Sequence, residues 1–307
     1  GLYADHEELG VDGILLVDKP QAMTSHDVVD RIRRGAGTRR VGHTGTLDPA
    51  ATGLLILCLG RATRLSDFLI DMDKVYEGSM LFGTTTDSYD LDGQVVETRP
   101  VPEDLTREQI QDACNRFVGT IQQLPPMVSA VKVGGERLYK LARKGEVVER
   151  TPRTVTVREF DVLTYTRPNA EFRVRCTRGT YARALCHDVG HMLGCGAALA
   201  ALRRTWVGPH GVETALPLDR FETADDVRQR LLPVEQALTL PEVRILPQHE
   251  RLVGCGNALH PADIQGRCPV ETGWVQIKAH SGRLLAVGEV SPSPMGLQIQ
   301  PRRVLLG

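Results

Sequence analysis

The chain has 307 residues, of which 41% are hydrophobic and 24% are charged, and its formal net charge is −1. This composition is that of an ordinary globular protein, and the length is enough for one large domain and a small one. No apolar run approaches the ~20 residues that a bilayer span needs, and the acidic first ten residues are unlike a secretory signal. Seven cysteines without C-x-x-C pairing favour reduced thiols in a cytoplasm.

The near-neutral net charge argues, taken alone, against a nucleic-acid binder, because such domains are commonly basic. The average hides two local stripes, however. Residues 31–40 hold five arginines and no acid, and residues 132–158 hold eight basic residues against three acidic ones. Both stripes are compatible with two readings, solvated surfaces or surfaces that face phosphates.

Predicted elements in the first part of the chain begin with a strand, "GILLVDKP" (residues 13–20), which proline stops. The segment "TSHDVVDRIRRG" predicts a helix that Thr24 or Ser25 caps and Gly35 ends. A strand through "LLILCL", an amphipathic helix over "RATRLSDFLIDMD" and a strand over "KVYEGSMLFGTTT" follow. These elements mix without a regular βαβ alternation.

Further along, "TREQIQDACNRFVG" opens with the capping box Thr106–Gln109. Two strands, "RTVTVREFDVLTYT" and "EFRVRCT", flank the turn "RPNA", and "GTYARALCHDVGHMLG" predicts a helix between glycines. After prolines cluster in residues 233–247, three short segments, "GWVQIKA", "RLLAVGEV" and "GLQIQPRRVLL", predict strands. The pattern favours an α+β fold with a mixed, mainly antiparallel sheet and flanking helices, plus a small C-terminal β domain.

The segment "RRVGHTGTLDPAATG" (residues 39–53) concentrates turn-forming residues around one carboxylate, Asp48. Its glycines free the backbone, and the position before Pro49 is pushed towards an extended conformation, so the side chain projects from a loop. Catalytic groups often lie on such loops. The alternative is an Asx-turn, in which Asp48 bonds its own backbone. His43, five residues earlier, is a candidate base, ligand or stacking plate, or an idle half-buried residue.

A rival site lies in "CHDVGHMLGC", where His187 and His191 share one helical face as in H-E-x-x-H zinc sites, with Asp188 in place of the glutamate. No third ligand has a conspicuous pattern. At the preceding strand-to-helix junction, Arg183 could pair with a carboxylate and Tyr181 lies two residues before it. The simpler interpretations are a surface arginine and a half-buried tyrosine, and Tyr76 in "KVYEG" is most simply explained as core.

Six motifs of the chain resemble, in the same order, those of the TruB-type tRNA pseudouridine-55 synthases. They span residues 13–208 and are "GILLVDKPQAMTSHDVV", "GHTGTLDPAATGLLILCLGRATR", "KVYEG", "TTTDSYDLDG", "LPPMVSAVKVGGERLYKLARKG" and "CTRGTYARALCHDVG". The C-terminal β domain resembles a PUA domain more weakly, through "GCGNALH" and its last strands. The resemblance implies a tail at residues 1–12, a catalytic domain at 13–240 with a thumb-like insertion at about 124–152, and a PUA-like RNA-binding domain at 243–307.

The resemblance implies an isomerase that flips one uridine of the T-arm out of tRNA and converts it to pseudouridine without a cofactor or metal. Asp48 is then the catalytic aspartate, which could add to C6 of the base, attack C1′ or deprotonate the ribose. The implied substrate-binding residues are His43, Tyr76, Asp90, Tyr181, Arg183 and Leu202. The implied phosphate contacts are Lys19, Arg39, Arg40, Arg64, Lys132, Arg143 and Lys144.

The expected partner is tRNA, bound by a cytoplasmic monomer with no membrane contact and no implied protein partner. Two other hypotheses stay open at this stage. One is an RNA-binding module or tRNA chaperone of the same fold without essential chemistry, against which a carboxylate facing phosphates argues. The other is a zinc hydrolase built on the His187–His191 pair.

Overall fold

A computed structural model describes residues 11–126, 132–133, 136–137 and 150–306. Most of the predicted thumb-like insertion lies outside these residues, and so do Arg143 and Lys144. Of Lys132, the main chain belongs to a short strand.

Seventeen strands fall within the described residues. They are β1 (Gly13–Lys19), β2 (Val41–His43), β3 (Thr52–Leu59), β4 (Lys74–Phe82), β5 (Thr84–Thr86), β6 (Val95–Thr98), β7 (Gly119–Gln123), β8 (Lys132–Val133), β9 (Glu136–Arg137), β10 (Arg153–Thr166), β11 (Asn169–Cys176), β12 (Ala197–Val207), β13 (His210–Gly211), β14 (Glu242–Arg244), β15 (Gly273–Lys278), β16 (Leu284–Ser293) and β17 (Gly296–Val304). The α-helices in the same residues are α1 (Ser25–Ala36), α2 (Ser66–Ile70), α3 (Arg107–Asn115), α4 (Ala182–Leu193), α5 (Ala224–Arg230) and α6 (Glu250–Gly254).

The main sheet has nine strands, seven of them in the order β1-β3-β12-β4-β11-β10-β7, with β2 beside β3 and β13 beside β12. Its pairs are antiparallel except β3 with β12, which run parallel. A separate sheet has the order β14-β15-β16-β17. Helices flank the main sheet, so the predicted mixed, mainly antiparallel α+β fold is confirmed.

Local sequence explains the first elements well. The strands β1 and β3 are near-continuous apolar runs, as expected of strands that are buried on both faces, and their residues are almost all buried. The capping box of α1 forms between Thr24 and Asp27. The helix does not end at Gly35, as the sequence suggested, but continues to Ala36, because Gly37 has the left-handed φ of 68° that a C-terminal cap requires.

The predicted amphipathic helix after β3 is only partly correct. Residues Gly60–Leu65 form a 3₁₀-helix, and the α-helical turn α2 follows. Of the apolar face predicted for this helix, Leu65 and Leu69 are buried, and Phe68 and Met72 are partly buried. The capping box Thr106–Gln109, the strands around the "RPNA" turn and the helix after "GTY" are all confirmed.

The C-terminal strands β15, β16 and β17 correspond to the three segments predicted from the sequence. Their sheet shares an apolar cluster with the main sheet, in which Leu284 and Val287 pack with Ile14 and Leu54. The Nη1 atom of Arg64 also donates a hydrogen bond to the carbonyl oxygen of Val304 at 2.9 Å. The predicted boundary at residues 240–243 stays a prediction. Within the described part of the chain, none of the helices combines the length and the apolar composition needed to cross a bilayer.

Gly53 permits the close approach of β3 to β12, where it is paired with Arg204. Its φ is 108°, and a Cβ atom there would overlap the main-chain oxygen of Arg204. Gly37 has a similar positive φ but open space around it. We expect Gly53→Ala to lower the free energy of unfolding by about 1–3 kcal/mol more than Gly37→Ala does. Urea denaturation of the two variants measures the difference, and equal losses would contradict the role of this contact.

Candidate active site

The loop that carries Asp48 is anchored from within the core. Leu47 is buried, its N–H donates to the hydroxyl of Ser25 at 2.9 Å, and that hydroxyl donates to the carbonyl of Leu47 at 3.1 Å. The hydroxyl of Thr44 donates to the carbonyl of Ile56 at 3.1 Å. Because the residues before it are fixed in this way, Asp48 is held at a defined place although its side chain is 56% exposed.

The turn after Asp48 is closed by main-chain atoms, since the N–H of Ala51 donates to the carbonyl oxygen of Asp48 at 2.9 Å. The carboxylate faces Arg183 instead, and its Oδ2 lies 3.8 Å from Nη2 of that guanidinium. The main chain therefore closes this turn, which removes the need for the Asx-turn considered from the sequence.

Arg183 connects two carboxylates from different parts of the chain. Its side chain is 12% exposed, and its Nη1 lies 3.5 Å from Oδ2 of Asp90. Asp90 is itself held by the hydroxyl of Ser88 at 2.5 Å and by the N–H of Asp92 at 3.1 Å. The guanidinium is thus fixed from one side by a structured aspartate and presents its other edge to Asp48. This geometry orients the exposed carboxylate.

A buried glutamine holds the residue that immediately precedes the helix of Arg183. The N–H of Tyr181 donates to Oε1 of Gln123 at 2.8 Å, and Nε2 of Gln123 donates to the carbonyl of Tyr181 at 3.2 Å. The ring of Tyr181 lies 5.6 Å from the guanidinium carbon of Arg153, within the range of a cation–π contact. Burial raises the pKa of Tyr181, and the charges of Arg153 and Arg183 oppose this shift.

An open cavity of about 400 Å³ lies in front of these groups. It brings together five of the residues that the sequence singled out, namely Asp48, Tyr76, Tyr181, Arg183 and Leu202. Polar groups and the apolar faces of a tyrosine and a leucine share its wall, as in sites that hold a planar, polar ligand. Asp90 acts behind the wall, through its contact with Arg183.

His43 lies at the end of β2, at the start of the same loop, and is not among the residues that line the cavity. Its Nδ1 accepts a hydrogen bond from the N–H of Gly45 at 3.4 Å. Burial, and after it the charge of Arg204, lowers the pKa of His43 below its ordinary value. Burial therefore favours the neutral form of this half-buried imidazole.

Lys19 does not lie where a phosphate could reach it, which corrects the prediction made from the sequence. The side chain is fully buried, and its Nζ donates to the carbonyls of Pro20 and Met23 at 2.8 Å each and of Pro49 at 3.3 Å. Burial lowers the pKa of Lys19, and the charge of Asp48 opposes this shift. The lysine ties the end of β1 to the loop of Asp48.

Three other predicted phosphate contacts, Arg39, Arg40 and Arg64, are exposed. Arg39 and Arg40 lie between α1 and β2, and Nε of Arg40 donates to the hydroxyl of Thr63 at 3.2 Å. Arg64 is exposed beside the last strand. A surface hollow of about 850 Å³ beside α1 is lined by four arginines and two aspartates, Arg31, Arg33, Arg34, Arg39, Asp27 and Asp30.

Sequence reasoning missed two buried cations of the cavity, Lys74 and Arg204. Nε of Arg204 donates to the carbonyl of Leu54 at 2.8 Å, and Nη2 donates to that of Gly45 at 3.0 Å. Burial lowers the pKa of Lys74 to about 8, and the charge of Arg204 adds to this shift. Strand alternation could have revealed Lys74, because it precedes Tyr76 by two positions and must share its face.

The sequence did not single out Arg153 and Arg178, which also line the cavity.

The zinc hypothesis finds no support around its two histidines. His187 stacks on Tyr89 with ring centroids 3.9 Å apart. In the described ranges, no group of three or more His, Cys, Asp or Glu side chains is placed to hold a metal ion.

Solved structures share this fold. A Cbf5–Nop10–Gar1 complex contains a chain that matches with a TM-score of 0.75 and 28% identity, over 97% of this chain and 87% of that one. An H/ACA RNP bound to a substrate RNA containing 2′-deoxyuridine matches with a TM-score of 0.74 and 26% identity, over 97% of this chain and 86% of that one. The fold is that of the pseudouridine synthases.

Residues 33–182 match the model of the TruB family pseudouridylate synthase N-terminal domain, and residues 183–239 match that of the tRNA pseudouridylate synthase B C-terminal domain. The tRNA pseudouridine synthase B of Dechloromonas aromatica is 46% identical over 96% of each chain. That of Opitutus terrae is 52% identical over 74% of this chain and 95% of its own length. The chain therefore belongs to the TruB family of pseudouridylate synthases, as its motifs indicated.

Replacing Lys19 tests its position beneath the loop. We expect Lys19→Met to lower the free energy of unfolding by about 1–3 kcal/mol, because buried carbonyls lose their donor. The exposed Arg39→Met should change it by less than about 0.5 kcal/mol. Urea denaturation measures both. An unchanged stability of Lys19→Met, combined with weaker RNA binding, would restore Lys19 as a phosphate contact.

Proposed function

We propose that this protein isomerises a uridine of the T-arm of tRNA to pseudouridine and that Asp48 is the catalytic carboxylate. The observation that carries the proposal is the geometry of this carboxylate. It stands at the rim of a cavity lined by Tyr76, Tyr181 and Leu202 and lies 3.8 Å from the guanidinium of Arg183. Membership of the TruB family supports the same reaction.

The reaction breaks the N1–C1′ bond of the uridine, turns the uracil and joins C5 to C1′. Atoms and oxidation state are conserved, so the chemistry asks for a nucleophile or base and for a closed pocket that retains the detached base. Asp48 can serve by adding to C6, by attacking C1′ or by removing a proton from the ribose. Arg183, held by Asp90, keeps the carboxylate aimed into the cavity.

The target base must leave its stack to reach the cavity, at a cost of a few kcal/mol. Stacking on an aromatic ring returns ~1–3 kcal/mol per base. Tyr76 and Tyr181 offer such rings in the cavity wall. The imidazole of His43, at the start of the loop, is suited to occupy the space that the base vacates.

Phosphate contacts in this proposal come from the exposed arginines beside the loop, Arg39 and Arg40, and from Arg64 near the C-terminal sheet. The proposed RNA contacts further include Lys132, Arg143 and Lys144 of the thumb-like insertion and a PUA-like RNA-binding domain at 243–307.

We further propose that the protein acts as a monomer in the cytoplasm. The free thiols of all seven cysteines, five of them buried, are consistent with a reducing compartment.

The second candidate function is an RNA-binding module or tRNA chaperone of the same fold. The exposed carboxylate of Asp48 argues against binding alone, because it would repel the phosphates that such a module attracts. Arg39, Arg40 and Arg64 serve both functions, so these residues do not separate the two candidates.

Asp48→Asn separates the two candidates. We expect the single-turnover rate of pseudouridine formation in an unmodified tRNA transcript to fall at least ~10²-fold, because the amide is neither a base nor a nucleophile. The dissociation constant for the transcript should stay within a factor of about 2. The matched control Asp219→Asn changes an exposed aspartate away from the cavity and should keep both values. Mapping of pseudouridine at single-nucleotide resolution also tests the T-arm position. Equal losses of rate and affinity would contradict the catalytic role.

Salt dependence tests the phosphate contacts. We expect the logarithm of the tRNA association constant to fall steeply and linearly with the logarithm of the salt concentration, because phosphate contacts release counterions. Arg40→Ala should make this slope shallower by about 1, whereas Arg116→Ala, an exposed change outside both basic stripes, should leave it unchanged. Binding isotherms at four or more salt concentrations give the slopes. A flat profile for the unaltered protein would rule out this role for the arginines.

A further inference from the structure

Two buried cations form the floor of the cavity, and neither forms an ion pair with a carboxylate of the described residues. Lys74 is 5% exposed and Arg204 is 2% exposed. Across the described part of the chain, no ion pair with a carboxylate involves either side chain. The buried Lys278 of the C-terminal sheet, by contrast, pairs with Glu242 at 2.5 Å. Burying a charge without a counter-charge is costly, so an unbalanced pair of cations points to an anionic occupant.

Sheet register directs both side chains to the place where the base would lie. Lys74 and Tyr76 are two positions apart on β4 and therefore share a face. Arg204 is the partner of Tyr76 across the β12–β4 ladder, and Leu202 is the partner of Gly78, two positions further along the same face. The tyrosine ring, the leucine and the two cations thus line one cavity from one face of the sheet.

Both cations keep their charged ends fixed at the cavity. The guanidinium of Arg204 is held by its hydrogen bonds to the carbonyls of Leu54 and Gly45. The ammonium of Lys74 donates to the carbonyl of Ile70, and an ammonium carries three donors. Lys19 differs, because its ammonium donates to three protein carbonyls. Lys74 accordingly retains donor capacity that can be directed to a ligand.

The proposed reaction places negative charge on the uracil whichever route Asp48 follows. Addition of the carboxylate to C6 puts the electron pair on O4 as an enolate. Attack at C1′ breaks the N1–C1′ bond and leaves its electron pair on the base. Removal of the C2′ proton forms a C1′–C2′ double bond and expels the base with the same pair. When C5 later bonds to C1′, N1 gains a proton and C5 loses one. The carboxylate leaves C6 or C1′ in the first two routes and returns its proton to C2′ in the third, so the atoms balance.

We propose that Lys74 and Arg204 are further catalytic residues, which stabilise the negative charge that develops on the uracil as its bond to C1′ breaks. The inference rests on the proposed function and deepens it. Fixed charges in a pocket shielded from water act strongly on a developing charge because they need no reorganisation. Removing one comparable donor from such a site costs ~10²–10³-fold in rate.

A contact to an RNA phosphate is the competing role for the same cations, and it has a different signature. A phosphate carries its charge before and after the reaction, so losing its cation weakens binding and reduces the salt dependence of the association constant. A charge that exists only during the reaction changes the rate at saturating RNA and leaves affinity unchanged.

The protonation of Lys74 adds a pH signature. The groups that face it are Arg204 on β12, Arg178 after β11, Cys176 at the end of β11 and Asp71 after α2. Burial, then the charges of the two arginines, lowers the pKa of Lys74 to about 8, against the opposing influence of the thiol and the aspartate. The ammonium is therefore charged below this pH and loses its proton above it. An arginine at this position stays charged throughout the range.

The test compares Lys74→Met, Lys74→Arg and the control Lys278→Met. Single-turnover rates at saturating tRNA transcript are measured from pH 6 to pH 10, affinities are measured in the Asp48→Asn background, and thermal unfolding reports folding. We expect Lys74→Met to lose ~10²–10³-fold in rate at pH 7 with affinity within a factor of about 2. Lys278→Met should keep its rate. The rate ratio of the unaltered protein to Lys74→Arg should fall as the pH rises above about 8.

Several outcomes would overturn this inference. One is a Lys74→Met rate equal to that of the unaltered protein. Another is a loss confined to affinity and salt slope, which would assign Lys74 to a phosphate. If Lys74→Met does not fold, a pH-independent rate ratio between the unaltered protein and Lys74→Arg overturns it. An unaltered protein that forms no pseudouridine in the transcript would overturn the proposed function, and this inference with it.

Discussion

The loop of Asp48 is held from beneath by two buried cations that donate hydrogen bonds to its main chain. Lys19 reaches the carbonyl of Pro49 at one end of the loop, and Arg204 reaches that of Gly45 at the other. Both residues flank Gly53 of β3, which is the partner of Lys19 on β1 and of Arg204 on β12. The place of an exposed carboxylate is thereby set by buried side chains of the sheet.

Charge in the site is distributed in two layers. At the rim, Arg183 is shared between Asp48 on the β2–β3 loop and Asp90 between β5 and β6. An arginine in the first turn of α4 lies at the unfavourable end of the helix dipole, and the two carboxylates offset this. At the floor, Lys74 and Arg204 have no such balance in the described residues. The protein thus pairs the arginine that positions its carboxylate with two aspartates, whereas no carboxylate of the described residues forms an ion pair with Lys74 or Arg204.

Sequence patterns correctly predicted the elements in which the local residue preferences match the burial that the fold imposes. The apolar runs of β1 and β3 and the capping box of α1 are local signals, and the structure follows them. The central strand β12 was missed, because "AALAALRRTWV" is rich in alanine and carries two arginines, which favour helices or surfaces. Its burial between β3 and β4 overrides that preference. Lys19 was assigned to the surface for a related reason. Its position in a strand does not indicate that three main-chain carbonyls accept hydrogen bonds from its ammonium in the interior.

What the sequence by itself determined was the family, the α+β class and five of the residues that line one cavity, because ordered motifs and short-range periodicity are written along the chain. The tertiary structure alone decided which cations belong to the surface and which to the interior. It also decided that Lys74 and Arg204 line the same cavity as Tyr76. The physical reason is that burial and electrostatic balance depend on neighbours brought together by strand register, here from positions about 130 residues apart.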